Sequence, residues 1–388
     1  MEGTNGTRAG SIPVRVFNGP EKELIRRISE KGPVTFAEFM DVALYWPDGG
    51  YYTSTYLAWG AGGDYITSLD VSPVFSAVIA RQVSEIWSLM DSPSDFVLIE
   101  AGAGRGWLSQ GILETLKKTS PELYSSITVR CVEKNPTLRG QTSDKMVWHE
   151  DIKEIQGPVR GVILSNELID SLPVHRVKVS DGLLKEVFTG FDGDVFIDVE
   201  GEPSTPQIKG YFDKAGLLPG EGALAEVNLN ALKWLSDAGA LLSEGFVMTI
   251  DYGLPSRELY ASERKAGTLM CHCRHTLNDN PYINIGAQDI TTHVDFTSFM
   301  REGERLGLGL TGFTTQKNFL LGIGILEELR EPADTGGAGL ADIEFNRAVG
   351  RLIMPGGMGD TFKVLIQHKG LDKPRLAGFS FKDMSRCL

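Results

Sequence analysis

The chain's densest chemical signal is Glu100-Ala101-Gly102-Ala103-Gly104-Arg105-Gly106, set between the apolar run FVLIEAG and the helical stretch WLSQGILETLKK. Glycines at this spacing let the backbone turn sharply and approach a ligand closely, and the following helix offers unpaired N–H groups at its start. The dinucleotide fingerprint G-x-G-x-x-G needs a glycine at position 107, where Trp107 stands, and the Gly-Lys-Ser/Thr of a Walker loop is missing. Two acids lie at the next strand ends. Glu133 closes ITVRCVE, a position from which a carboxylate accepts both hydroxyls of a ribose, and Asp151 follows MVWHE, in place for an adenine amino group. The plainer readings are a solvated strand-end carboxylate for Glu133 and an N-cap for Asp151.

An apolar strand followed by E-x-G-x-G-x-G resembles motif I of class I S-adenosylmethionine (SAM) methyltransferases, and Glu100, Gly102, Gly104, Gly106, Glu133 and Asp151 are then cofactor-binding candidates. GVILSNELIDSLPVHRV puts Asn166 and Glu167 at the tip of a fourth strand, with Asp170 and His175 just beyond; TIDYGLP does the same for Asp251 and Tyr252 on a fifth. QDITTHVDF adds Asp289, His293 and Asp295. Methyl transfer from a sulfonium is an in-line displacement, so the protein must position the nucleophile, exclude water and manage one proton. A guanidinium needs carboxylates that orient it and localise electron density on one nitrogen. Glu167, Asp170 and Asp251 are candidates for that clamp, His175 and His293 for the proton relay, and Tyr252, Asp289 and Asp295 for substrate contact. Each has a structural alternative: Asp170 as a helix cap, His175 as a satisfied core histidine, His293 as a cap.

Alternating strands and helices from Phe96 onward predict an α/β fold with a doubly wound sheet. Two amphipathic helices, EKELIRRISEKG and FAEFMDVALYW, precede it, followed by the loop around Trp59 and a helical run PVFSAVIARQVSEIWSLM. Between Pro173 and Gly245 an insertion is expected: a β-hairpin turning at Asp181-Gly182 and a helix from Leu224 to about Leu242. The expected organisation is a disordered leader over 1–20, an N-terminal helical region near the cofactor over 21–92, and the first half of the Rossmann-like core over 93–175. The insertion takes 176–243, and the rest of the core with C-terminal cover loops takes 244–388. FKVLIQHKG reads as a last, antiparallel strand and DTGGAG as a surface loop.

The chain has 388 residues, 41% hydrophobic, with a net charge of −13. That excess of carboxylates argues against non-specific nucleic-acid binding, which needs basic patches to release counterions. Four cysteines make no disulfide framework, and CHCRH lacks the spacing and the second pair of a zinc site, so no metal is expected. No apolar run approaches the roughly 18 residues that span a bilayer. The N-terminus lacks a secretory pattern and, with one early Glu and two Arg, makes a poor transit peptide. A bacterial-type cytoplasmic protein is therefore expected over a mitochondrial one.

From about Leu24 to Lys369 the chain resembles the MidA-like SAM-dependent methyltransferases, which include mitochondrial complex I assembly-factor arginine methyltransferases and their bacterial relatives. The match rests on GPVTFAEFMDVALYWPDGGYY, GGDYITS, EAGAGRGWL, VEKNPTLRGQ, SNELIDSLPVHRV, IDYG, GTL, QDITTHVDF, QKNFLLGIGI and MGDTFKVL. The resemblance implies a class I Rossmann-like core carrying an N-terminal helical region and an inserted α+β subdomain, SAM as cofactor, and N-methylation of an arginine in a partner protein. It adds Gly63 and Asp64 as a loop over the cofactor. The chain departs from the family pattern at Leu69-Asp70, Ala103, Gln110-Gly111 and Ile285, positions on or near the cleft. Methylation of a small-molecule acceptor and a catalytically silent SAM-binding assembly factor are the alternatives, and a homodimer is a further possibility.

Overall fold

The computed structural model describes residues 16–54, 74–273, 276–330 and 340–388. The expected leader falls outside these up to residue 15, and Gly19 already opens a helix, Gly19–Lys31. The cause is local. Asn18 accepts the amide of Glu21 at 2.9 Å while the Glu21 carboxylate accepts the amide of Asn18 at 2.9 Å, a reciprocal cap. Thr35 and Glu38 repeat the device at the start of helix Phe36–Tyr45, which stops short of Pro47.

Eight strands form the main sheet, seven of them in one continuous row: β1 (Phe96–Ala101), β2 (Thr128–Val132), β3 (Met146–His149), β4 (Val159–Asn166), β5 (Leu242–Leu254), β6 (Gly309–Thr315) and β7 (Phe362–Lys369); the eighth, Val294–Asp295, pairs in parallel with the end of β5. Their spatial order is β3-β2-β1-β4-β5-β7-β6, with β7 antiparallel to both neighbours and the pairs from β3 to β5 parallel. Alternation decides the two faces. Leu98, Val162, Leu164, Phe246 and Met248 pack on one core with helices Val74–Leu89 and Trp107–Thr119. Ile99, Ile163, Val247 and Leu365 pack on the other with helices Leu229–Leu241 and Phe296–Arg305. This is the doubly wound α/β architecture expected from the sequence, with helices on both faces and the parallel strands ending on one rim. Among the described residues no helix is long and apolar enough to cross a membrane.

Between β4 and β5 the chain builds a smaller antiparallel sheet from His175–Ser180, Leu183–Phe191, Phe196–Gly201 and Leu224–Val227, joined by Val34–Thr35. Asp181 and Gly182 both take positive φ, 53° and 71°, in the two-residue turn, which matches the twist of the strands they join. One expectation needs correction: Leu224–Val227 is a strand, and the helix begins only at Leu229. Asn228 caps it by accepting the Ala231 amide at 2.8 Å, which separates the two elements. A helix over Pro206–Ala215 was not expected.

Candidate functional site

The glycine turn works through backbone conformation. Gly102, Gly104 and Gly106 have φ of 72°, 53° and 73°, the left-handed region that side chains disfavour. A Cβ on Gly102 would stand 3.0 Å from Leu168 Cδ1, and one on Gly106 would stand 2.9 Å from the Trp148 ring. The turn also places its amides. Gly104 N donates to Glu133 Oε2 at 2.9 Å and Asn135 N donates to Oε1 at 2.8 Å, so the end of β2 holds a carboxylate by one oxygen from each side. Burial raises the pKa of Glu133 above the ordinary carboxylate range, against the pull of these amides and of Arg139.

A cavity of about 740 Å³ opens over this rim. Glu100, Gly102, Gly104, Glu133, Asp151, Asn166, Glu167 and His175 line it. Gly106 does not, since it turns the chain into the helix behind. Asp151 also caps the short turn Ile152–Glu154, accepting the Lys153 amide at 2.9 Å. Glu100 is nearly buried, accepts the amide and hydroxyl of Ser109, and is pushed up to about 7 by its burial.

At the tip of β4, Glu167 is a non-glycine residue with φ of 55°, a conformation worth about 1–3 kcal/mol of strain. Its amide donates to Ile250 O at 3.0 Å, which ties the tip of β4 to β5. Asn166 Nδ2 donates to Glu167 Oε1 at 3.1 Å, while Asn166 Oδ1 is buried with no partner among the described residues. Along the same wall, His175 Nδ1 lies 2.7 Å from Glu186 Oε1. Glu186 is fully buried and accepts the Ser204 amide at 2.6 Å. Burial alone would raise Glu186; the His175 and Ser204 hydrogen bonds outweigh it and hold the carboxyl below its usual range.

Several residues in this site escape a reading of motifs. Glu186 supports His175 from the neighbouring strand, and the turn at Asp181-Gly182 was the signal: it pairs Ser180 with Leu183 and hence Val177 with Glu186. Glu38, Asp41 and Tyr45 reach the cavity from helix Phe36–Tyr45, whose Phe36, Phe39 and Met40 are buried in its core. Their spacing of three and four was the available signal. Tyr52, Trp107 and Trp234 complete the aromatic part of the wall among the described residues.

Six further candidates among the described residues do not line the cavity. Asp251 is fully buried, and its carboxylate accepts the amides of Ile169 (2.9 Å), Asp170 (3.3 Å) and Tyr252 (2.9 Å). Burial, with Asp170 beside it, raises its pKa well above the ordinary value. Asp170 lies under the same turn, pushed up to about 6 by burial, with Oδ1 lacking a partner among the described residues. Tyr252 packs edge-on against His293 and Phe362. His293 is held near 4 by burial and by Arg264 and Lys363. Asp289 accepts the Tyr52 hydroxyl at 2.8 Å and so props a wall residue from behind. Asp295 is the N-cap of Phe296–Arg305 and also accepts the hydroxyls of Ser256, Ser298 and Tyr211. Gly63 and Asp64 lie outside the described residues, as do Trp59 and the DTGGAG loop. Among the described residues, no group of three or more His, Cys, Asp or Glu could hold a metal ion.

A family model described as "Putative S-adenosyl-L-methionine-dependent methyltransferase" matches residues 78–314. The chain is similar to the mitochondrial protein arginine methyltransferase NDUFAF7 homolog of Drosophila melanogaster, 29% identical over 412 residues, 92% of this chain and 88% of that protein. It is similar to the mitochondrial protein arginine methyltransferase NDUFAF7 of Homo sapiens, 26% identical, over 91% of this chain and 85% of that one. A crystal structure from Burkholderia thailandensis bound to S-adenosyl-homocysteine superposes with a TM-score of 0.84 at 28% identity, covering 95% of this chain and 96% of that chain. The expected cytoplasmic location is contradicted by these comparisons, since the Drosophila, rat and human relatives are mitochondrial proteins.

Proposed function

The chain belongs to the S-adenosyl-L-methionine-dependent methyltransferase family, and on that premise we propose that it N-methylates an arginine side chain of a partner protein. The residues present fit the cofactor. The glycine turn removes side chains where a nucleoside must approach, Glu133 faces the cavity with lone pairs left for a sugar, and the orphaned Asn166 Oδ1 suits an ammonium donor. When bound, SAM supplies a methyl group on a positively charged sulfur.

The observation that carries the arginine reading is the strained Glu167 in a cavity rich in carboxylates. Among the described residues, eight Asp and Glu side chains line it against four Lys and Arg. Relatives at 29% and 26% identity are named protein arginine methyltransferases. Glu167 accepts the guanidinium and orients one nitrogen, and Asn166 braces its carboxylate through Oε1. His175, with Nδ1 engaged by Glu186, presents Nε2 to take the proton released on methylation. Glu186 is a positioning residue: it touches neither substrate nor cofactor and fixes the imidazole's tautomer and direction.

The test is methyl-labelled SAM incubated with the chain and a mitochondrial lysate, followed by hydrolysis of labelled protein and separation of its amino acids. Label in methylarginine is expected, and Glu167→Gln should lower transfer by about 100-fold or more with S-adenosyl-homocysteine affinity nearly unchanged. Label confined to small molecules, or none despite tight cofactor binding, overturns the reading.

A further inference from the structure

A second cavity, of about 1000 Å³, adjoins the first and shares His175, Asn230 and Lys233 with it. Its walls come from helices Pro206–Ala215, Leu229–Leu241 and Phe296–Arg305. The charge here is inverted. Among the described residues, Lys214, Lys233, Arg301 and Arg305 line it against a single carboxylate, Glu302, on a chain whose net charge is −13.

The carboxylates nearby do not neutralise these cations. Glu302 is divided between Arg305 and Lys214, the latter 3.8 Å away, and Asp237 is divided between Lys233 and Lys153, each 3.3 Å away. The Arg301 guanidinium donates to the Lys214 carbonyl at 2.9 Å and has no carboxylate partner among the described residues. Helix dipoles account for part of the pattern: Lys214 and Arg305 sit in last turns, where cations are favoured. They do not account for Lys233, the fifth residue of a helix that starts at Leu229, beyond the terminal turn over which the dipole acts.

We propose that this groove binds the stretch of the substrate protein that flanks the methylated arginine, and that this stretch is acidic. The inference rests on the arginine reading above. The two cavities then divide one peptide between them: the carboxylate-rich cavity takes the arginine, and the basic groove takes Asp and Glu residues a few positions along. His175 stands where they meet. A short acidic segment suits the site better than a nucleic acid, because the surrounding molecule's negative charge opposes a long polyanion but weighs little on a few carboxylates seated among cations.

The experiment uses the full chain and short fluorescent peptides with a central arginine and acidic, neutral or basic flanks, binding being read by anisotropy in low salt. The acidic peptide should bind about tenfold more tightly than the neutral one, and added salt should erode the difference. Arg301→Glu with Arg305→Glu should abolish the preference, with S-adenosyl-homocysteine affinity measured as the check on folding. Should the double variant fail to fold, Arg301→Gln alone should reduce the preference about threefold. Equal affinity for the three peptides overturns the proposal, as does a preference that survives charge reversal or displacement by an oligonucleotide in place of acidic peptide. Because binding is read without methyl transfer, the two readings fail separately. Acidic peptides that bind and are never methylated count against the arginine reading alone; methylation indifferent to the flanks counts against the groove alone.

Discussion

Glu133 and Glu167 face the carboxylate-rich cavity, whereas Asp251 and Asp170, at the same sheet edge, are sealed beneath it. All four were candidates on residue type and position. What separates them is where their lone pairs go. Asp251 spends three acceptor sites on the amides of Ile169, Asp170 and Tyr252, which ties the turn after β4 to the end of β5. Glu133 takes one amide on each oxygen and keeps the rest of its capacity toward the cavity. A carboxylate whose acceptor sites are filled by backbone is a structural clamp; one held from behind, with its front open, is available to a ligand.

That contrast is open to direct tests. The largest effect is expected from Asp251→Ala, which leaves three buried amides without an acceptor and should remove roughly 3–5 kcal/mol of stability in urea unfolding. Unchanged stability with lost methyl transfer would return Asp251 to the catalytic set. Next comes Glu100, which lines the cavity yet is bonded inward to Ser109. It is raised from 4.5 to about 7, so the folded chain keeps a proton that the unfolded chain releases between those values. Stability therefore falls as pH rises through that window, by about 3 kcal/mol, and Glu100→Gln should flatten this part of the profile. A slope unchanged in the variant would mean Glu100 is ionised and solvated like an open wall residue. The smallest shift is that of Glu133→Gln: S-adenosyl-homocysteine should bind about 10- to 100-fold more weakly by calorimetry, with urea stability lowered by only about 1–2 kcal/mol because one of the two backbone amides loses its acceptor. A large loss of stability would place Glu133 with Asp251.

The legible parts of the molecule were those governed by short stretches of chain. Phe96–Ala101 is apolar on both faces because both are covered, and the run into Gly102 announces the turn. The hairpin at Asp181-Gly182 follows from two residues that tolerate positive φ. The insertion was harder. Leu224–Val227 belongs to a strand because it pairs with His175–Lys178 some fifty residues earlier, and local helix propensity has no knowledge of that partner.

The same division holds at the site. Sequence alone determined the doubly wound α/β architecture, the glycine turn and the carboxylates and histidine at the rim, since strand periodicity and glycine conformation are properties of neighbours in the chain. Only the tertiary structure decided which carboxylates look into the cavity, brought Glu38, Asp41 and Tyr45 to its wall, and set Glu186 behind His175. Those outcomes depend on how distant segments pack, where a side chain's role is settled by whichever donor or open space it meets.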